Sequence, residues 1–126
     1  MTPDKMNKIS NTAEFMDKLS AEDREDLNNL YEAILTMNDP EELHKFFADL
    51  CSVNELRSML HRWQIVLRID QGLSYEEIIK ELTPSSGDGR STVSSTTISR
   101  VKNCYVREDG GYRTALNRLK NRNNNH

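Results

Sequence analysis

The clearest candidate for chemistry in this chain is the segment from Ser94 to Asn103. It begins with small hydroxyl side chains and continues with two cations and an amide, which are groups that bind phosphates and base edges. The residues predicted to contact double-stranded DNA are Ser94, Ser95, Thr96, Thr97, Ser99, Arg100, Lys102 and Asn103. In such a segment Arg suits guanine or a phosphate, and Asn suits adenine.

Two predicted helices position this segment. The capping box Ser74-Tyr75-Glu76-Glu77 opens a short helix that ends at Leu82, and the Ser/Thr residues near Ser94 start the next one. Apolar residues of the first helix would pack on Ile98 and Val101 and so fix the angle between the two helices. The pattern is that of a helix-turn-helix with an extended turn over residues 83–93, although a plain structural helix pair is an equal alternative.

Helical spacing of apolar residues predicts the remaining elements. Nothing in the chain has the alternation of a strand, so we predict an all-α fold with about six helices. The predicted organisation is a flexible N-terminal arm over 1–19, a single helical domain over 20–122 and a frayed tail over 123–126. Within the domain we assign 20–51 to dimerisation helices, 52–73 to a long central helix, 74–106 to the helix-turn-helix and 110–122 to a C-terminal helix.

Large aromatic side chains on the first two helical stripes predict a homodimer. Tyr31, Phe46 and Phe47 each gain about 1.5–3 kcal/mol when buried, and one thin chain offers little surface to cover them. Interlocked N-terminal helices of two chains would cover them. A compact monomeric bundle is the alternative.

The charge of the chain is unevenly distributed. The formal net charge is −3, but residues 90–126 carry eight Lys or Arg against Glu108 and Asp109. A protein that binds a phosphate backbone needs a local positive face and not a positive total. The alternative is a solvated basic tail.

Other kinds of chemistry are not indicated. The cysteines Cys51 and Cys104 are isolated, which favours free thiols in a reducing compartment. We find no signal peptide, no membrane-spanning run and no catalytic or metal-binding motif. The sequence therefore predicts a cytoplasmic protein that is not an enzyme, with no metal and no obligatory cofactor.

Several motifs occur together in one order between Leu50 and Leu119. They are Ser52-Val53-Asn54-Glu55, Arg62 followed by Ile65-Val66, the helix from Gly72 to Leu82, the run from Thr96 to Lys102, and Asp109-Gly110-Gly111-Tyr112. This ordered set resembles the tryptophan-repressor superfamily, especially its branch of repressor-related proteins called YerC/YecD. The resemblance implies a transcriptional regulator that binds DNA as an intertwined homodimer, with repression as its expected action. Its half-sites would lie roughly 34–36 Å apart.

The resemblance also implies a pocket for a small-molecule effector. Arg62 and Arg100 match two arginines that enclose the ligand in the tryptophan-binding member, while Ser52 and Cys104 match other pocket positions. Val101 replaces a pocket glycine and would crowd an indole, so the sequence argues against tryptophan and leaves any corepressor unidentified. The alternatives are a surface ion pair for Arg62 and a DNA phosphate contact for Arg100.

Two departures from that family favour a second function. Tyr75 and Glu76 stand where the tryptophan-binding member has glutamine and a base-contacting arginine, and Glu76 would repel a phosphate. The turn over residues 83–93 is also unusually long. The alternative is thus a helical protein-interaction module on the same fold that does not bind operator DNA.

Overall fold

All regular structure in the described part of the chain is helical. A computed structural model describes residues 15–83 and 93–124, with side chains to residue 123. Six helices lie within these ranges, and residues 15–17 are helical as well. They are α1 (Ala21–Leu35), α2 (Pro40–Leu50), α3 (Val53–Asp70), α4 (Tyr75–Leu82), α5 (Ser95–Tyr105) and α6 (Gly111–Asn124). The predicted all-α fold with about six helices is confirmed.

Parts of three predicted segments lie outside the described residues. They are residues 1–14 of the N-terminal arm, residues 84–92 of the long turn, and residues 125 and 126 of the tail.

Side-chain caps explain where several helices begin. The Ser20 side chain accepts a hydrogen bond from the Asp23 N–H at 3.0 Å, and Asp39 accepts one from Glu42 at 2.9 Å. Each cap satisfies a backbone donor that has no partner within the helix. At the start of α4 the predicted capping box is complete, since the Ser74 and Glu77 side chains each accept from the other's backbone N–H.

The chain divides into two compact units between Val53 and Asn54. The first unit contains α1 and α2, and none of its described residues is buried. Its apolar stripes stay partly open to solvent: Leu35 is 77% exposed and Tyr31 is 48% exposed. Phe46 and Phe47 contact each other edge to face, with ring centroids 5.9 Å apart.

The second unit contains the buried core. Its members come from α3, α4, α5 and α6 and from the residue just ahead of Ser94. They are Ile65, Val66, Ile78, Val93, Ile98, Val101 and Leu116. Partly buried Ile79 and Leu82 pack against this cluster, so α4 and α5 share one apolar contact as the sequence predicts. Only the second half of α3 contributes to the core, and Leu60 in its first half is 49% exposed.

A glycine ends α3 and redirects the chain into α4. Gly72 has φ +88° and donates its N–H to the Ile69 carbonyl at 2.9 Å, while Leu73 donates to the Arg68 carbonyl at 3.1 Å. This pair of bonds is a Schellman motif, which requires the left-handed conformation at its glycine. The entry into α4 therefore depends on a residue without a side chain.

We predict that Gly72→Ala lowers the free energy of unfolding by about 1–2 kcal/mol. A Cβ there would meet nothing within 4 Å, so the cost is backbone strain and not a clash. Gly111→Ala is the matched control, because that site is equally open and its φ is not in the left-handed region. Urea titration of both variants checks this, and equal midpoints would contradict the assigned role of Gly72.

Candidate nucleic-acid interface

The start of α5 is fixed by hydroxyl groups. The Ser94 Oγ accepts from the Thr97 N–H at 3.2 Å and lies 3.0 Å from the Thr97 Oγ1. Ser94 is therefore the N-cap of α5. These two predicted contact residues hold the helix terminus in addition to any external role.

The helical period divides α5 into three faces. Ile98, Val101 and Tyr105 face the core, with Ile98 and Val101 fully or almost fully buried. Thr96, Arg100 and Asn103 occupy the opposite, exposed face. Within the described chain, these three side chains have neither a hydrogen bond nor an ion-pair partner. The structure thus groups a hydroxyl, a guanidinium and an amide on one open surface.

The third face of α5 turns toward α4. The half-buried Ser99 places its Oγ 3.5 Å from the Tyr75 hydroxyl. The Lys102 Nζ lies 5.6 Å from the centroid of the Tyr75 ring, within the range of a cation–π contact. Ser99 and Lys102 are therefore not part of the face that carries Arg100, although Lys102 is still exposed.

The two acidic residues after Tyr75 differ in their roles. Glu77 belongs to the capping box, and the hydrogen bond from the Ser74 backbone lowers the pKa of its carboxyl group. Glu76 is exposed and makes no ion pair within the described ranges. One acidic side chain next to Tyr75 thus remains open to solvent.

The C-terminal end of α5 is held by a polar cluster. The Tyr105 hydroxyl donates to Asp70 Oδ1 at 2.9 Å, and the Lys120 Nζ lies 3.0 Å from Asp70 Oδ2. The Arg113 guanidinium lies 4.8 Å from the Tyr105 ring centroid. These contacts tie α5 to the end of α3 and to α6. Sequence reasoning missed the cluster because its members are separated by up to 50 positions.

Charges in this cluster shift two pKa values. The hydrogen bond from Lys120 is the main cause that lowers the pKa of Asp70 below its ordinary value of 3.8, and Tyr105 adds to the effect. Burial, followed by the hydrogen bond to Asp70, raises the pKa of Tyr105 above its ordinary value. The folded state thus favours the ionised carboxylate and the neutral phenol.

The predicted effector residues are all exposed to solvent. Arg62, Arg100 and Cys104 are exposed in the second unit, and Ser52 is exposed in the first. Arg62 and Cys104 both influence the pKa of Tyr112, an aromatic residue that was not among the predicted effector residues. Burial raises the pKa of Tyr112, Cys104 adds to that rise, and Arg62 opposes it.

The surroundings of Tyr112 are largely apolar. The Trp63 and Tyr112 rings lie 6.4 Å apart, and both pack against the core. Val101 is 3% exposed within that core.

Among the described residues, no three His, Cys, Asp or Glu side chains are grouped so that they could hold a metal ion. None of the described helices is both long and apolar enough to cross a membrane.

Comparison with known proteins gives concordant results. The family model for "Trp repressor protein" matches residues 25–120. The uncharacterised protein YerC of Bacillus subtilis (strain 168) is 34% identical over 105 residues, which cover 83% of this chain and 89% of that protein. The crystal structure of a candidate Trp repressor from Staphylococcus aureus aligns with a TM-score of 0.64 and 36% identity, covering 83% of this chain and 93% of the other.

The fold and the comparisons together show which family of proteins the chain belongs to. The chain is an all-α protein whose helices α4 and α5 share one core and leave one polar face of α5 open. It belongs to the Trp repressor family, which is a family of regulators and not of enzymes. The resemblance recognised in the sequence, including its YerC branch, is confirmed.

We predict that Asp70→Asn lowers the free energy of unfolding by about 1 kcal/mol near neutral pH. Because the pKa of Asp70 is lowered on folding, its contribution is present above the unfolded pKa and is lost as pH falls through the folded pKa. The difference from wild type should therefore shrink below about pH 4.

Urea titrations at neutral and acidic pH measure this difference. Asp49→Asn is the matched control, because Asp49 is an exposed carboxylate with no partner within the described ranges. A stability difference for Asp70→Asn that stayed constant with pH would contradict the role given to the carboxylate.

Proposed function

We propose that this protein is a homodimeric, sequence-specific DNA-binding transcriptional regulator and that it acts as a repressor. The helix pair α4–α5 is its reading unit. The observation that carries the proposal is the open face of α5, where Thr96, Arg100 and Asn103 have no partner within the described chain. Membership of the Trp repressor family supports it.

The chemistry of α5 suits a major groove. Small side chains at its N-terminus, such as Ser95 and Thr96, allow the backbone to approach phosphates, which the helix dipole attracts. One turn further, Arg100 can donate two hydrogen bonds to guanine, and Asn103 can both donate to and accept from adenine. Ser94, Thr97, Ser99 and Lys102 complete the proposed interface, with Lys102 directed to the phosphate backbone.

The first unit supports the proposal of a homodimer. In a single chain its two helices bury no described residue, although their apolar stripes contain Tyr31, Leu35 and two phenylalanines. Covering such stripes with a second copy is a common solution for a thin helical chain. A two-fold symmetric dimer would present α5 twice, as a palindromic site requires.

An effector site with Arg62, Arg100 and Cys104 of the second unit remains part of the proposal. Guanidinium groups hold carboxylates or phosphates and stack on flat rings, so an anionic aromatic ligand fits that set. Val101 lies packed in the core, which argues against room for an indole beside it.

Because Cys51 and Cys104 are free thiols, we place the protein in a reducing compartment, the cytoplasm.

We predict that Arg100→Ala weakens duplex binding by about 1–3 kcal/mol. Lys102→Ala should weaken it less and should reduce the salt slope by about 0.9, the value for one lost phosphate contact. Gel-shift titrations over a range of salt concentrations measure both effects. Arg122→Ala removes an exposed charge from α6 and serves as the control. Unchanged affinity in both α5 variants would refute the proposed interface.

We also predict that Leu35→Asp dissociates the homodimer. The substitution places a charge on the most exposed large apolar side chain among the described residues of the first unit. Asn29→Asp adds the same charge to a polar, exposed face of α1 and should leave the dimer intact. Sedimentation equilibrium distinguishes the two, and a wild-type monomer at micromolar concentration would refute the proposal.

The second candidate function is a helical protein-interaction module that does not bind operator DNA. The exposed Glu76 on α4 favours it, because an unpaired carboxylate there would repel phosphates. Selection of bound duplexes from a random pool separates the two functions. A palindromic consensus supports the regulator, whereas no enrichment together with salt-insensitive capture of a protein supports the module.

A further inference from the structure

Tyr75 contacts the face of α5 that turns toward α4 at two points, and neither contact was anticipated from the sequence. We propose that Tyr75 is a positioning residue of the DNA interface, whose ring holds the Lys102 ammonium where it can meet a backbone phosphate. This inference rests on the proposed function and adds a residue outside α5 to it.

The Tyr75 ring is itself well fixed. Tyr75 is the first residue of α4, directly after the N-cap Ser74, and the capping box defines the geometry of that turn. Its ring is half-buried and packs against the core that α4 shares with α5. The ring therefore provides a rigid surface at the edge of the helix pair.

The ring orients Lys102 without neutralising its charge. The Nζ lies 5.6 Å from the ring centroid, and no carboxylate of the described chain forms an ion pair with it. A cation–π contact attracts the ammonium through the ring quadrupole and uses none of its three N–H donors as a hydrogen bond. A salt bridge would compete with phosphate, whereas this contact leaves the charge and the donors available.

The spacing of residues along α5 also supports this role. Ser99 and Lys102 are three residues apart and so lie on the same side of the helix, and both approach Tyr75. The hydroxyl groups of Tyr75 and Ser99 are 3.5 Å apart, which is at the limit of a hydrogen bond. We therefore assign the positioning effect to the ring and only a minor part to the phenol hydroxyl.

The test compares Tyr75→Leu with Tyr75→Phe. The probe is a random-sequence duplex of roughly three helical turns, because phosphate contacts do not depend on sequence. Tyr75→Leu should weaken binding about two- to fivefold, the effect expected of an exposed cation–π contact. Its salt slope should fall toward that of Lys102→Ala. Tyr75→Phe keeps the ring and should match wild type in both respects.

A double-mutant comparison separates positioning from general damage to the fold. If Tyr75 acts through Lys102, Tyr75→Leu should have no further effect on binding in a Lys102→Ala background. In a Lys80→Ala background its full effect should persist, because Lys80 is an exposed lysine of α4 with no ring contact within the described ranges. An equal loss in both backgrounds would overturn the inference.

Nuclear magnetic resonance provides a readout that does not need DNA. The ring should shift the Lys102 ε-methylene protons upfield in wild type and in Tyr75→Phe but not in Tyr75→Leu. If wild type bound no duplex, the proposed function would fail whatever the shifts. If wild type bound duplex and Tyr75→Leu bound equally well, only the positioning role would fail.

Discussion

The rest of the candidate interface depends on the burial of Ile78, Ile98 and Val101 in one core. A helix with 3.6 residues per turn cannot turn two residues inward without fixing the direction of all others. Burial of Ile98 and Val101 therefore directs Arg100 outward. The apolar contact between α4 and α5 thus selects which polar groups can meet a partner.

Polar contacts then hold both ends of α5. At its start, the Ser94 side chain caps the helix through the Thr97 N–H. At its end, the Tyr105 hydroxyl donates to Asp70, whose charge Lys120 balances. Fixed ends matter for recognition, because a reading helix that frays would lose contact energy to conformational entropy on binding.

The two units use their apolar residues differently. In the second unit, helices from four segments converge on a shared core, so their stripes are covered within one chain. In the first unit, the stripes of α1 and α2 follow the same helical period, yet no described residue is buried. A regular apolar period predicts that one face of a helix must be buried. It does not identify whether the same chain or another molecule buries that face.

The sequence alone determined the elements and the family. The capping box at Ser74 and the Ser/Thr residues near Ser94 predicted where helices begin, because a cap involves residues only three positions apart. Apolar spacing predicted the α4–α5 packing, and the ordered motifs indicated the Trp repressor family. The tertiary structure alone decided the contacts of Tyr75 with Lys102 and of Tyr105 with Asp70. These pairs are 27 and 35 positions apart, and only the angle between packed helices brings them together.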